Sequence, residues 1–182
     1  MGMPSPNARV TPRRLHPVEA PFPAASSEPV LGERQRAYLL PGQLHVSSQP
    51  CQIRTILGSC VSICLWDQRQ RAGGMNHFLL PASREGQPTS LRFASAATRD
   101  LIEKLLRLGC RPLDLQAKIF GGSSMFRNQD RYASSLGARN VAAALGLLND
   151  VGIEVTVQET GGTRGRKIVF NTDDGMAWSR RI

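Results

Sequence analysis

Two neighbouring runs, Thr55-Ile-Leu-Gly-Ser-Cys60-Val-Ser-Ile-Cys64-Leu-Trp-Asp67 and Gly73-Gly-Met-Asn-His77-Phe-Leu-Leu-Pro81, decide how this chain is read. Both are apolar and rich in strand formers, with strands expected at residues 61–66 and 75–80, and the short polar stretch between them makes them the arms of a β-hairpin. With the turn centred between Gln68 and Arg69, antiparallel pairing sets Trp66 opposite Arg71 and Cys60 opposite His77. Directly opposed residues have Cβ atoms about 4.5–5.5 Å apart, near hydrogen-bonding reach for a thiol and an imidazole. The turn Asp67-Gln-Arg-Gln70 contains no glycine, so a longer or bulged loop would shift this register. Alternation assigns Val61, Ile63 and Leu65 to the core and Cys60, Ser62 and Cys64 to the other face. Cys60 follows Gly58-Ser59 at the start of its strand, where backbone N–H groups near Ser59 and Cys60 can point at an incoming carbonyl oxygen.

Outward from the hairpin, strands are expected at residues 37–40, 44–47, 115–120, 153–158, 167–170 and 176–178. Two helices are expected as well. In the first, Ser95 is the candidate cap, Leu101, Ile102, Leu105 and Leu106 form the apolar stripe, and Gly109 ends it. The second covers about 136–151 and stops at Gly152, with Val141, Leu145 and Leu148 on one face and Ala142, Ala143 and Ala144 permitting close packing. Without strict βαβ alternation, the order indicates an α+β fold whose sheet is mixed or mostly antiparallel, with both helices on one side. The doublet Gly-Gly at 73–74, 121–122 and 161–162 marks tight turns or close backbone approaches.

The chain has 182 residues, 41% of them apolar, enough for one core. Residues 1–30 hold seven of the twelve prolines and no hydrophobic period, so 1–31 is expected to be a disordered Pro-rich arm and 32–182 a single domain. No run reaches the roughly 18 apolar residues of a membrane helix, and the N-terminus has no secretory signal pattern. The expectation is a cytoplasmic protein in which Cys51, Cys60, Cys64 and Cys110 are free thiols. The formal charge of +9 and pI near 10.4 suit an acidic partner, either protein or nucleic acid. Basic residues are scattered, the densest group being Arg164, Arg166 and Lys167, without the aromatic interleaving that stacks bases; a nucleic-acid module therefore rests on charge alone.

The spacing of Cys60 and His77 fits a nucleophile with its base. It also fits a buried structural cysteine beside a satisfied histidine. Metal binding by Cys60, Cys64 and His77 is a third possibility, with neither Cys-x-x-Cys spacing nor an evident fourth ligand to support it. Gly121-Gly-Ser-Ser124 and Gly161-Gly-Thr-Arg-Gly-Arg-Lys167 match neither phosphate-loop pattern, which argues against a nucleotide site and leaves them as rims of a cleft.

Five ordered blocks resemble the CheD family of chemoreceptor glutamine deamidases: Leu57-Gly-Ser-Cys-Val61; Gly73-Gly-Met-Asn-His-Phe-Leu-Leu-Pro81; Lys118-Ile-Phe-Gly-Gly122 with Met125 and Phe126; Gly137-Ala-Arg-Asn140; and Gly161-Gly162 leading to Gly165-Arg-Lys-Ile168. The resemblance covers about residues 42–180. It implies a three-layer α-β-β sandwich similar to toxin deamidases, with mixed, mostly antiparallel sheets and two main helices. It also implies hydrolysis of glutamine side chains, and in some members glutamate methyl esters, on methyl-accepting chemotaxis receptors. By resemblance Cys60 is the nucleophile and His77 its partner, Thr55 completes the catalytic set, and no metal or cofactor takes part. Gly58, Ser59, Asn76, Gly121 and Gly122 are expected around the oxyanion and the rim. The implied partners are receptor cytoplasmic domains, with a CheC-type phosphatase or a response regulator as regulator. Thr55 and Cys60 differ in parity, so an unbroken strand would part them unless Gly58 supplies a bulge. Arg139 and Asn140 are expected to tie the second helix to a nearby loop. Phe93-Ala94 stands where the family has Tyr-Gly, a departure that bears on surface contacts. The rivals are an adaptor that docks on chemotaxis proteins without catalysis, and the basic nucleic-acid module.

Overall fold

The computed structural model describes residues 34–83, 89–124 and 135–182; the Pro-rich arm and the Met125-Phe126 pair lie outside the described residues. In chain order the elements are β1 (Gln35–Tyr38), β2 (Gln43–Ser47), β3 (Cys51–Leu57), β4 (Val61–Asp67), β5 (Ala72–His77), α1 (Ala94–Arg107), a 3-10 turn (Pro112–Asp114), β6 (Leu115–Gly121), α2 (Leu136–Asp150), β7 (Glu154–Thr160), β8 (Arg166–Asn171) and β9 (Ala177–Arg181). They form two sheets, a four-stranded one ordered β1-β3-β8-β9 and a five-stranded one ordered β2-β5-β4-β6-β7. β1 runs parallel to β3 and β6 to β7, and the other pairs are antiparallel, which gives the mixed α+β sandwich.

Burial along the strands explains the layer order. β4 is buried on both faces from Val61 to Leu65, as a strand in a middle layer must be. Val61, Ile63 and Leu65 meet α1 and α2 through Leu101, Leu105, Val141 and Leu148. The expectation that their face alone is core is corrected: Cys64, with Met75, Phe120, Ile168 and Phe170, fills a second core between the sheets. β3 alternates, with Cys51, Ile53, Thr55 and Leu57 buried and the residues between them more exposed, so the four-stranded sheet is an outer layer. Glycines let the layers approach. A Cβ on Gly74 would stand 2.8 Å from Leu101 of α1, and one on Gly73 would stand 3.2 Å from Phe170 of the outer sheet.

Two expectations are corrected here. The hairpin register is offset by two residues: Asp67 pairs with Ala72, Trp66 with Gly73 and Cys64 with Met75, and a bridge joins Val61 to Phe78. The cause is the turn. Asp67 Oδ1 accepts from the N–H groups of Arg69 and Gln70, and Arg71 takes a φ of +49°, which makes a four-residue loop where two were assumed. An offset of two preserves the face, so Cys60 and His77 remain on the same side of the sheet. Ser95 does not cap α1; Phe93 holds the cap position in extended conformation with no side-chain bond, and Ser95 lies in the first turn. Ser135 caps α2, its hydroxyl accepting from the Ala138 N–H at 3.2 Å.

Candidate active site

β3 and β4 belong to different sheets, and the chain crosses between them through Gly58, Ser59 and Cys60. Parity along one strand therefore does not govern Thr55 and Cys60, and no bulge is needed. Thr55 projects from the outer sheet and His77 from the middle sheet into the same seam, where Thr55 Oγ1 lies 2.9 Å from His77 Nδ1. The Thr55 hydroxyl also lies 2.9 Å from the Leu39 carbonyl. A carbonyl only accepts, so the hydroxyl hydrogen goes to Leu39 and Thr55 Oγ1 must accept from His77 Nδ1–H. This fixes the tautomer and leaves the lone pair on Nε2, which has no hydrogen-bond partner among the described residues.

Cys60 is half-buried against the inter-sheet core. Val61 and Phe78 exchange both backbone bonds, at 3.1 and 3.0 Å, so Cys60 and His77 flank that pair as diagonal neighbours on one face. Backbones so related are about 7–8 Å apart, a gap that an imidazole and a thiol can span. Burial pushes the Cys60 thiol up, with its own backbone N–H pulling the other way. Burial pushes the His77 imidazole down, with the Leu39 carbonyl opposing. Burial thus disfavours the charged form of each side chain, the thiolate of Cys60 and the imidazolium of His77.

The loop of Cys60 is held from three sides. Gly58 O accepts from Ser123 N–H and Cys60 O from Gly122 N–H, each at 2.8 Å. The tight contact depends on glycine: a Cβ on Gly121 would stand 2.3 Å from Cys60 O, and Gly121 and Gly122 have φ of +106° and +66°. Asn140, fully buried near the start of α2, donates from Nδ2 to Ser59 O at 3.0 Å and to Leu79 O at 2.8 Å, the loop tie expected of it. Gly161 N–H and Arg166 reach Gly121 O at 2.9 and 3.3 Å. Asn76 stands apart: its Oδ1 accepts from Ile63 N–H at 2.9 Å, across the stretch where the β4–β5 ladder is interrupted.

Cys64 is sealed in the inter-sheet core, and among the described residues no group of three or more His, Cys, Asp or Glu side chains could hold a metal ion. A cleft of about 470 Å³ lined by Gln68, Arg69, Asp114 and Glu154 lies at the other end of β4, away from Cys60. Arg166, grouped in the sequence with surface charge, is only 4% exposed. Its position within the Gly161-to-Ile168 block was the one signal of a structural task.

The molecule is thus an α+β sandwich with a cysteine, a histidine of fixed tautomer and a threonine gathered where its two sheets meet. The chain belongs to the CheD family. The family profile, described as CheD chemotactic sensory transduction, matches residues 79–181. Probable chemoreceptor glutamine deamidase CheD 1 of Anaeromyxobacter dehalogenans (strain 2CP-C) is 46% identical over 160 residues, 88% of this chain and 92% of that protein. A stretch that long necessarily includes Thr55, Cys60 and His77. Probable chemoreceptor glutamine deamidases CheD of Trichlorobacter lovleyi (strain ATCC BAA-1151 / DSM 17278 / SZ) and Methanococcus vannielii (strain ATCC 35089 / DSM 1224 / JCM 13029 / OCM 148 / SB) are 42% and 38% identical, over 78% and 77% of this chain and 88% and 91% of theirs.

Proposed function

We propose that this chain is a chemoreceptor glutamine deamidase, hydrolysing glutamine side-chain amides to glutamate on the cytoplasmic domains of chemotaxis receptors, with Cys60 as nucleophile and His77 as general base. The observation that carries the chemistry is the His77 ring: Thr55 takes Nδ1–H, so Nε2 is the basic nitrogen on the face that Cys60 shares. The names of the relatives supply the substrate class.

Burial disfavours both charged forms, so the Cys60 proton moves to Nε2 as sulfur attacks the amide carbon. A C–S bond forms and the carbonyl electrons pass to oxygen. The N–H groups of Ser59 and Cys60, which have no carbonyl partner among the described residues, are the donors available to that oxyanion; one such donor is worth about 2.7–4 kcal/mol in the transition state. His77 then gives its proton to the departing nitrogen, the C–N bond breaks, and ammonia leaves. Water, deprotonated by the same nitrogen, attacks the thioester, releasing glutamate and restoring the thiol. Thr55 holds the imidazole in place and offsets its positive charge while it carries the proton. A cytoplasmic location fits four cysteines that are all free.

The test is incubation of the protein with a receptor cytoplasmic fragment, followed by peptide mass spectrometry. Each converted glutamine gains about one mass unit, since ammonia is lost and water gained. Unchanged peptide masses after prolonged incubation would contradict the assignment.

A further inference from the structure

All three carbonyls of the loop that presents Cys60 are tied to the body of the protein. Gly58 O and Cys60 O are held by the backbone N–H groups of Ser123 and Gly122, and Ser59 O by the Asn140 carboxamide. The third tie alone depends on a side chain. Asn140 Nδ2 gives its other hydrogen to Leu79 O, and Leu79 follows the residue bridged to Val61, so it stands across from Cys60. One buried carboxamide therefore clamps the loop of Cys60 to the segment that continues from His77.

The peptide between Ser59 and Cys60 is trans, so its C=O and N–H point in opposite directions. A donor that draws the Ser59 carbonyl inward turns the Cys60 N–H outward. That N–H has no carbonyl partner among the described residues and lies by its own sulfur.

We propose that Asn140 is a positioning residue for the reaction: it aims the Cys60 N–H at the sulfur and the forming oxyanion, and it fixes the spacing of Cys60 from His77. The proposal rests on Cys60 being the nucleophile. Asn140 does not touch substrate; it acts through the peptide plane it holds.

The test measures two quantities on full-length wild type, Asn140→Ala and Asn140→Asp: kcat and KM on a receptor cytoplasmic fragment, and the rate of Cys60 alkylation by iodoacetamide against pH. Asn140→Asp keeps the volume but has no amide hydrogens, and it carries the test should Asn140→Ala unfold. Loss of an aligned oxyanion donor predicts kcat reduced about 10²–10³-fold with KM changed less than about threefold, together with a higher apparent pKa for Cys60. A folded variant with kcat and alkylation profile both like wild type would overturn the proposal, whatever its melting temperature, and reduce Asn140 to a structural tie. The alkylation profile needs no substrate. A wild type that fails to deamidate the fragment therefore contradicts the proposed function, while the profile still decides the role of Asn140.

Discussion

At His77 three atoms set the tautomer: the Leu39 oxygen claims the Thr55 hydrogen, Thr55 oxygen claims Nδ1–H, and Nε2 keeps its lone pair. Thr55→Val preserves the β-branched shape and removes the acceptor. The expected cost is about 1–3 kcal/mol of transition-state stabilisation, roughly one to two orders of magnitude in kcat, and Thr55→Ser should restore most of it; steady-state kinetics on a receptor fragment check both. pH gives an independent handle. The folded-state imidazole titrates below its ordinary value of 6.5 because it is buried, so on acidification the unfolded chain takes up a proton that the folded chain resists. Stability from this site is complete above about pH 6.5 and declines as pH falls through that value toward the folded one. His45 is depressed by burial too, so the measurement is a comparison: urea midpoints from about pH 7.5 to 5 should fall less steeply in His77→Gln than in wild type. Equal slopes would show that His77 is not held neutral.

At the scale of elements, the site depends on the turn after β6, where Gly121 and Gly122 rest against the loop of Cys60. Gly121→Ala meets a carbonyl oxygen 2.3 Å from its new Cβ at a φ of +106°; the backbone strain alone is about 1–3 kcal/mol, and the displaced loop should lose activity beyond what stability explains. Thermal unfolding and turnover, measured together, separate the two. This part was legible in the sequence, because paired glycines beside strands announce close approach. That Cys60 and His77 share a face was legible for a less secure reason: the turn is longer than the two residues expected, yet a shift of two returns each side chain to the same face. The strand β3 was missed even though Cys51, Ile53, Thr55 and Leu57 alternate with Gln52, Arg54 and Ile56. Gln52, Arg54 and Ile56 belong to the more open face of an outer sheet. Missing β3 also produced the parity problem for Thr55, since a one-sheet picture has no seam for the two residues to share.

The candidate site lies where two sheets and a helix converge. The outer sheet supplies Thr55, the middle sheet His77, the crossover between them Cys60, and α2 the Asn140 clamp, so residues far apart in sequence meet only when all three layers are assembled. Mild denaturant that loosens the layers should accordingly abolish Nε2-dependent reactivity before far-ultraviolet circular dichroism reports loss of strands. Coincident transitions would argue against a seam less stable than the sheets. The four cysteines allow a sharper decision. Cys51, Cys64 and Cys110 are buried with thiols pushed upward, that of Cys110 to about 11, and Cys60 alone is half-exposed on the crossover. The decisive measurement is deamidation of a receptor cytoplasmic fragment, followed by mass spectrometry, for Cys60→Ala beside Cys51→Ser, Cys64→Ser and Cys110→Ser. The structure predicts that Cys60→Ala, folded as wild type, produces no glutamate while every folded variant of the other three does. Glutamate formed by Cys60→Ala at the wild-type rate would contradict the account.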